Sequence, residues 1–259
     1  MNLVSRAELQ QWLNQSLSPD AFKDYAPNGL QLQGKPFIKK IVLGVTASKA
    51  LLEKAAQAKA DTVIVHHGWF WRNEDSCIVN QKYERIAYAI KQELNVFGYH
   101  LPLDAHPEWG NNTQLGVVLE LQILMQDGKP VSCGEQKLVW LGEPPLGKER
   151  LGDFVSHIEE KLGRQVLFIG DKNKRVKKVA WCTGGAQGFF DVAINAGADV
   201  FITGEASEQV YHMAQESGVA YIAAGHHATE RYGIQALGRA IKQQFPSIEV
   251  DYIEIYNPI

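Results

Sequence analysis

The residues of this chain that can do chemistry are histidines and carboxylates that follow apolar segments. His66 and His67 are adjacent, Asp104 follows an apolar turn, and His226 stands four residues before Glu230. Imidazole nitrogen and carboxylate oxygen bind borderline and hard divalent ions, and a carboxylate can bridge two of them. The five residues predict a two-metal site, with the imidazoles as terminal ligands. Asp104 or Glu230 is the expected bridge.

These side chains can meet only in certain local structures. Adjacent side chains in an unbroken strand point to opposite faces, so the His66-His67 doublet needs a strand end. Gly68 directly after the doublet allows a turn there. His226 and Glu230 share one face if their segment is helical. An ordinary polar pair on a solvated helix has the same spacing, and a lone histidine is more often a surface or core residue than a ligand.

Two divalent ions about 3.5–4 Å apart, sharing a carboxylate and a solvent molecule, are typical of hydrolytic enzymes, because the shared solvent loses a proton near neutral pH. Hydrolysis is therefore the expected reaction class. Glu205 is a candidate general base or a group that orients a ligand, although an acid at a helix start is equally typical. His100 and His227 adjoin the ligand candidates, where each can orient a ligand, donate a proton or simply occupy a turn.

The remaining histidines are expected outside the site. His157 is predicted to be exposed because it lies in a charged segment beside Glu159 and Glu160, and His106 and His212 are likewise expected to lie elsewhere. The glycine-rich segment 183–188 fits either a phosphate-binding turn or a tight strand-to-helix connection.

The elements that position these residues form a repeated pattern. A shift of 138 residues aligns Lys39-Lys40-Ile41 with Lys177-Lys178-Val179, and it aligns segment 58–64 with segment 196–202. Both copies read as strand, helix and strand, and each continues into a further helix and strand. His66 and His67 fall opposite Gly204 and Glu205. Open α/β sheets bind ligands beyond the carboxyl ends of their strands, which is where all five ligand candidates lie.

We therefore predict an α/β fold of two similar halves, produced by internal duplication, with the dinuclear cleft between them. The turn-rich segment 126–130 is the best boundary, which gives a first half over residues 1–127 and a second, interleaved half over residues 128–259. Ser5-Arg6-Ala7-Glu8 predicts a capping box that opens a helix. A helix over residues 153–162 has the same place in the second half.

Composition narrows the class of protein. The chain has 259 residues, 45% of them apolar and 21% charged, which is typical of a globular protein. A net charge of −3 provides no basic field for duplex nucleic acid, which is not an expected partner. Three scattered cysteines without a C-x-x-C pair fit a reducing cytoplasm. The first six residues contain no apolar h-region and no segment approaches 18 uninterrupted apolar residues, so we expect neither secretion nor membrane insertion.

Several separated motifs resemble one known family. They are Ala26-Pro27-Asn28-Gly29-Leu30-Gln31, Val65-His66-His67-Gly68, Leu103-Asp104, Gly110-Asn111-Asn112, Thr203-Gly204-Glu205 and Gly225-His226-His227-Ala228-Thr229-Glu230. Together and in this order they resemble the Nif-three-like family, the GTP cyclohydrolase I type 2 homologues. The likeness runs from about residue 5 to the C-terminus, and the chain is similar to the short form of the family.

The resemblance implies intertwined α/β halves, two divalent metals per subunit and a toroidal homohexamer. It implies the same five metal ligands, and iron, zinc, manganese, nickel and cobalt all suit such a set. The expected function is a dinuclear-metal-dependent hydrolase acting on a small nucleotide-like or cyclic-amide substrate, with GTP cyclohydrolase activity as one candidate. The alternative is a non-catalytic metal-binding or protein-interaction scaffold that forms a ring.

Overall fold

The structure is a computed structural model that describes residues 3–259 and has a mixed α/β fold. Its packing divides the chain into two compact units. The first unit comprises residues 1–103 and 234–256, of which residues 3 onward are described, and the second comprises residues 104–233 and 257–259. Helices α4 (Leu101–Asp104) and α9 (His226–Gln244) each contain residues of both units. The chain therefore changes unit more than once along its length.

The first unit is built on a five-stranded sheet. Its elements are β1 (Val4–Ser5), α1 (Arg6–Leu17), β2 (Gly29–Leu32), β3 (Phe37–Ile38), β4 (Lys40–Thr46), α2 (Lys49–Gln57), β5 (Thr62–His67), α3 (Asn80–Lys91), β6 (Asn95–Gly98) and β16 (Glu249–Tyr252), with a 3-10 turn at Pro19–Ala21. The sheet order is β16-β4-β5-β6-β2. Its first four strands are parallel, and β2 is antiparallel to β6.

The residue pattern of β4, β5 and β6 explains their central place. These strands are almost continuously buried, as parallel strands covered on both faces must be. Leu51, Leu52 and Ala55 of α2 are buried in the same hydrophobic cluster as Val63 and Val65 of β5. The carboxyl end of β5 is thereby fixed, and that end carries His66 and His67.

The second unit is built on a larger mixed sheet. Its elements are α5 (Asn111–Val118), β7 (Gln122–Ile123), β8 (Met125–Gln126), β9 (Lys129–Pro130), β10 (Ser132–Cys133), β11 (Val139–Glu143), α6 (Leu151–Leu162), β12 (Leu167–Ile169), β13 (Val179–Trp181), α7 (Phe190–Asn195), β14 (Val200–Thr203), α8 (Gln209–Ser217) and β15 (Ala220–Ala223), with 3-10 turns at Glu135–Lys137 and Gln187–Phe189. The sheet order is β10-β11-β13-β14-β15-β12, and β7 also pairs with β11.

The middle of this sheet, β13-β14-β15, is parallel, and its flanking strands β11 and β12 are antiparallel to it. Trp181, Ile202 and Ile222, one from each parallel strand, are fully buried in one cluster with Phe154 of α6. This packing fixes the ends of β14 and β15, which precede Glu205 and His226.

The aligned segments of the two units make matching hydrogen bonds. The side chain of Asp61 accepts from the backbone N–H groups of Lys39 and Lys40 at 2.8 and 3.2 Å. The side chain of Asp199 accepts from those of Lys177 and Lys178 at 2.8 and 3.0 Å. The strand registers agree as well, since Ile41 pairs with Thr62 and Val179 pairs with Val200. The aspartate contacts and the strand registers are therefore the same in both aligned segments.

The boundary expected between residues 127 and 128 lies inside the second unit. Asp127 and Gly128 both have positive φ, 51° and 73°, and form the two-residue loop of the β8–β9 hairpin. The turn signal in the sequence therefore marks a hairpin, and the divisions found by packing follow Leu103, Gly233 and Tyr256.

Two local predictions have opposite outcomes. The capping box at Ser5 is confirmed, because its hydroxyl accepts from the Glu8 N–H and its own N–H donates to the Glu8 carboxylate. The predicted exposure of His157 is wrong. His157 is 5% exposed, and its Nε2 lies 3.1 Å from the Leu119 carbonyl oxygen, because it falls on the buried face of α6.

Candidate metal centre

Three histidines of the first unit converge at the end of β5. One ligand nitrogen from each of His66, His67 and His100 lies within 4.8 Å of the others. The ring centroids are 4.4 Å apart for His66 and His67 and 5.1 Å apart for His66 and His100. The doublet occupies the last two residues of β5, so both rings are found beside His100. The strand end required by the sequence is present.

The two rings of the doublet are held through Nδ1. The fully buried His66 has its Nδ1 3.0 Å from the Tyr99 carbonyl oxygen, an acceptor to which it can only donate. The Nδ1 of His67 lies 3.4 Å from the Thr46 hydroxyl oxygen at the end of β4. A contact at Nδ1 orients an imidazole to coordinate through Nε2.

His100 is held by a carboxylate that the sequence analysis missed. Its Nδ1 lies 2.6 Å from Oδ1 of Asp24. The other carboxylate oxygen accepts from the Leu101 N–H at 2.9 Å and from the Asn28 side-chain amide at 2.8 Å. Burial raises the pKa of Asp24, but the hydrogen bond and charge of His100, with the bonds from Asn28 and Tyr25, outweigh it and lower the pKa to about 2. Asp24 is therefore a carboxylate at neutral pH.

An aromatic side chain adjoins this cluster. The ring centroid of Trp71 lies 5.9 Å from that of His67 and 5.0 Å from that of His100, in an edge-on contact with the latter. This indole covers two of the three imidazoles, and it belongs to the aromatic run that follows the doublet in the sequence.

The second unit assembles a histidine between two carboxylates. His226 Nδ1 is 2.6 Å from Oε1 of Glu205, and its Nε2 is 3.1 Å from Oε2 of Glu230. Burial lowers the pKa of His226, but hydrogen bonds and charge from Glu230 and then Glu205 raise it to about 9. His226 and Glu230 both lie on α9, so the helical i,i+4 geometry expected from their spacing is confirmed.

Asp104 is a buried carboxylate held by two side chains of the second unit. It is 6% exposed and accepts from the Asn111 amide at 2.9 Å and from the Thr183 hydroxyl at 3.3 Å. The Asn111 carbonyl oxygen accepts in turn from the Gly233 N–H at 2.9 Å. Burial, followed by the negative charges of Asp104 and Glu230, raises the pKa of the Cys182 thiol, which stays protonated. Asp104 and Glu230 therefore act on the same buried region of the second unit.

Two glycines make room for the Glu230 side chain and the His226 backbone. A Cβ on Gly184 would stand 1.9 Å from Oε1 of Glu230, and its φ of +70° is itself unfavourable for other residues. A Cβ on Gly204 would stand 2.5 Å from the Cα of His226 and 2.7 Å from the Gly184 carbonyl oxygen. The glycine-rich segment identified in the sequence is therefore a close-packed connection against ligand-type side chains.

The predicted site residues fall into two sets, one in each unit. The first unit holds His66, His67 and His100, and the second holds Asp104, Glu205, His226 and Glu230. Glu205 contacts a ligand candidate directly, as the orienting role requires. His227 is buried, and its backbone N–H donates to the Ile259 carbonyl oxygen.

Sequence reasoning missed the residues that hold the ligands. Asp24 lies in a loop, where the sequence has no periodic pattern. Thr46 ends β4 as many threonines end strands, and only the pairing of β4 with β5 shows that it lies opposite His67. Asn111 belongs to the Gly110-Asn111-Asn112 motif, whose residue types alone indicate no role. Its place at the start of α5, seven residues after Asp104, was the only available signal.

The donor set fits a divalent metal. Imidazoles and buried carboxylates are the ligands that borderline and hard ions take, and each imidazole here has a contact at Nδ1 that fixes its ring. Thiolate ligation is disfavoured because Cys182 is protonated and buried. In residues 3–259, no helix combines the length and apolar character that a membrane crossing requires.

Known proteins resemble the chain over almost its whole length. A protein of Neisseria meningitidis serogroup A named GTP cyclohydrolase 1 type 2 homolog is 46% identical over 256 residues, which cover 99% of this chain and 100% of that protein. A protein of Haemophilus influenzae with the same name is 46% identical over 259 residues, which cover 98% of this chain and 100% of that protein.

Solved structures agree. Protein ybgI, described as of unknown function, superposes with a TM-score of 0.91 at 46% identity over 99% of this chain and 100% of its own. TTHA1606 from Thermus thermophilus superposes with a TM-score of 0.82 at 30% identity over 99% of this chain and 100% of its own. Residues 4–258 match the family described as Duf34/NIF3 (NGG1p interacting factor 3). The chain therefore belongs to the Duf34/NIF3 family.

Proposed function

We propose that this protein is a dinuclear-metal-dependent hydrolase that acts on a small nucleotide-like or cyclic-amide substrate in the cytoplasm. GTP is one candidate substrate, because the curated relatives are named GTP cyclohydrolase 1 type 2 homologs. The observation that carries the proposal is the set of imidazoles, each with an Nδ1 contact to a carbonyl, hydroxyl or carboxylate oxygen. Such orientation is typical of metal-ligating histidine.

The proposed ligands are those deduced from the sequence, namely His66, His67, Asp104, His226 and Glu230. Two divalent ions would supply Lewis acidity toward the substrate and an acidified solvent molecule. Their identity is one of Fe, Zn, Mn, Ni or Co. The contacts to Asp104 from Asn111 and Thr183 support its role, because ligating carboxylates are themselves hydrogen-bonded.

The chain's own polar groups would handle the protons of the reaction. Hydrolysis of a cyclic amide forms a bond from the water oxygen to the carbonyl carbon, breaks the carbon–nitrogen bond and leaves a proton for the departing nitrogen. Glu205 can accept a proton as a general base or fix His226 through its Nδ1. His100 is placed to orient the neighbouring histidines or to donate a proton to the substrate.

Two architectural proposals accompany this function. The matching aspartate contacts and strand registers of segments 39–67 and 177–205 support an internal duplication, with the dinuclear centre formed where the two copies meet. The family resemblance implies self-association into a toroidal homohexamer. Light scattering of the purified protein tests this assembly, and we expect a mass six times that of one chain.

The deciding experiment combines metal analysis with turnover. Protein loaded with each candidate metal is incubated with nucleotides including GTP, damaged bases, phosphodiesters and cyclic amides, beside Asp104→Ala and Glu230→Ala. We expect turnover that requires metal and falls at least about 100-fold in both variants. His212→Ala, an exposed histidine paired with Glu208 at 3.5 Å, is the matched control and should retain full turnover.

The alternative function, a metal-binding or interaction scaffold, gives a different pattern. Metal would bind stoichiometrically and depend on the same carboxylates, yet no substrate class would turn over. That result would contradict the hydrolase proposal while leaving the ligand assignment in place.

A further inference from the structure

The loop that follows β5 carries Trp71 beside two histidines of the candidate metal centre. An indole N–H is a donor only, so coordination gives this side chain no task. We propose that the ring of Trp71 is a stacking surface for a planar heteroaromatic ring of the substrate. The role rests on the proposed hydrolase function and narrows its substrate class to nucleobase-like rings, which sets saturated cyclic amides aside.

The position of the indole is the first support for this role. Its ring centroid lies 5.9 Å from that of His67 and 5.0 Å from that of His100, and Trp71 is only half-buried. All three side chains belong to the first unit. Aromatic rings stack with their centroids about 4.5–7 Å apart. A substrate ring stacked on Trp71 would therefore stay close to the imidazoles, where the hydrolysis is proposed to occur.

Trp69, two residues earlier, has a different environment. It is buried, it belongs to the hydrophobic cluster that packs on β5, and its Nε1 donates to the Ala47 carbonyl oxygen at 2.9 Å. Core packing and one hydrogen bond explain this tryptophan. Trp71 is not a member of that cluster and lies against imidazoles. A large aromatic side chain beside polar groups, at the edge of the core, is typical of a ligand site.

The backbone between the two tryptophans is strained. Phe70 has a φ of +68°, a left-handed conformation that bulky residues rarely adopt. Such conformations persist only where the surroundings enforce them, and they cluster at functional sites. Residues two apart in an extended chain point to the same side. The left-handed turn at Phe70 therefore lets Trp71 leave the core that Trp69 occupies.

Hydrogen bonds fix the loop that carries Trp71. The Glu74 carboxylate accepts from the N–H groups of Phe70 and Trp71 at 3.1 and 3.2 Å, and the Glu74 N–H donates to the Trp71 carbonyl oxygen at 2.9 Å. The Arg72 N–H donates to the Tyr25 carbonyl oxygen at 2.7 Å. A ring held in place before binding has less conformational freedom to lose, so more of the stacking energy appears as affinity.

The test is a binding titration of the Zn²⁺-loaded full-length chain by isothermal titration calorimetry. The probes are GTP, the common ribonucleosides, inorganic tripolyphosphate, which has phosphates but no base, and dihydrouracil, a saturated cyclic amide. We expect Trp71→Ala to lower affinity for GTP and for the ribonucleosides about 10-fold and to leave affinity for tripolyphosphate unchanged, because only the base stacks. Dihydrouracil should bind the unaltered chain more weakly than the ribonucleosides.

Two further variants separate stacking from simple filling of space. Trp71→Phe keeps an aromatic face and should retain most of the affinity, whereas Trp71→Leu keeps apolar bulk without that face and should behave as Trp71→Ala does. The matched control is Tyr211→Ala, whose ring also meets a histidine edge-on, 5.5 Å from His212, but is exposed on α8. Elemental analysis and urea denaturation show whether each variant keeps its metal and its fold. The comparison of Trp71→Phe with Trp71→Leu decides the question if Trp71→Ala loses either.

The outcomes distinguish this role from the proposed function. Unchanged nucleoside affinity in the folded Trp71 variants, equal affinity for dihydrouracil and the ribonucleosides, or no nucleoside binding to the unaltered chain would each overturn the stacking role. Metal-dependent turnover of any substrate would then still support the hydrolase. Nucleoside affinity that depends on an aromatic residue at position 71, without turnover on any substrate class, would support the stacking role and contradict only the hydrolase proposal.

Discussion

Segments 40–67 and 178–205 share a framework and differ at its functional end. In each, a strand, a helix and a parallel strand are joined by an aspartate that accepts two backbone N–H groups. The first copy ends in His66 and His67, whereas the second ends in Gly204 and Glu205. The shared framework does not include the residues at the strand ends, which differ between the two segments. The first unit brings three imidazoles together, and the second places one imidazole between two carboxylates.

Gly204, which aligns with His66, must be a glycine because of the packing around it in the second unit. In the first copy His66 fits because Tyr99, which follows the neighbouring strand, presents its carbonyl oxygen to the ring. In the second copy the backbone of His226 occupies the space that a Cβ on Gly204 would need. A histidine at position 204 is therefore sterically excluded.

The largest expected effect comes from closing that space. Gly204→Ala places a methyl group 2.5 Å from the His226 Cα and 2.7 Å from the Gly184 carbonyl oxygen, both backbone atoms that cannot rotate away. We expect a loss of about 3 kcal/mol in the free energy of unfolding, measured by urea denaturation. Gly188→Ala is the control, since nothing lies within 4 Å of a Cβ there. Equal stability of the two variants would show that Gly204 is not sterically required.

The second prediction concerns the shared aspartates. Asp61→Ala should cost about 3 kcal/mol and Asp199→Ala about 1.5 kcal/mol, because each loses charged acceptors for two backbone N–H groups. The Asp61 side chain is the more buried, 12% exposed against 30% for Asp199, and its lysine partner is nearer, with Lys35 at 3.2 Å against Lys174 at 3.7 Å from Asp199. Urea denaturation of both variants, with Asp→Asn at each position as the milder change, measures the difference. A larger loss of stability in Asp199→Ala than in Asp61→Ala would mean that burial does not determine how much free energy this contact contributes.

The framework could be predicted from the sequence because it is local. Apolar runs, the 138-residue repeat and the i,i+4 spacing of His226 and Glu230 each depend on residues close together in the chain or on a copied pattern. The proposed ligand set rests on chemistry, since few residue types bind divalent ions. His157 shows the limit of such reasoning, because the acidic neighbours suggested exposure while the helical period placed it with Phe154 and Ile158 on the buried face.

The groups that hold the ligands could not be predicted, because they are distant in the chain. Asp24 and His100 are 76 residues apart, and Thr183 and Asp104 are 79 apart. Neither contact carries a periodic signal in the sequence, because each joins segments that only the tertiary fold brings together. The division into units was equally hidden, since a hairpin turn at Asp127-Gly128 has the same composition as a linker.

The third prediction concerns the pKa of His226, and the stability that depends on it, in the metal-free protein. The pKa of His226 is raised from 6.5 to about 9, so the stability it contributes is complete below pH 6.5 and lost as pH rises through 9. Glu205→Gln removes one of its two carboxylates and should lower that pKa by about 1 unit, as measured by NMR titration of the imidazole. Glu208→Gln, beside the exposed His212, is the control. An unchanged His226 pKa would assign the whole shift to Glu230.

The smallest expected effect concerns the helices that lead into the two copies. The N-cap residue of α1, Ser5, forms a capping box with Glu8, whereas the N-cap residue of α6, Arg150, makes no side-chain capping hydrogen bond. Ser5→Ala should therefore cost about 1 kcal/mol, and Arg150→Ala less than about 0.5 kcal/mol, in the free energy of unfolding from thermal or urea denaturation. Ser5→Asp, which keeps an acceptor for the Glu8 N–H, should recover most of the loss. Equal losses of stability in Ser5→Ala and Arg150→Ala would mean that tertiary packing, and not the cap, holds the start of α1 in place. Packing of the buried face already has that role in α6, which has no side-chain cap.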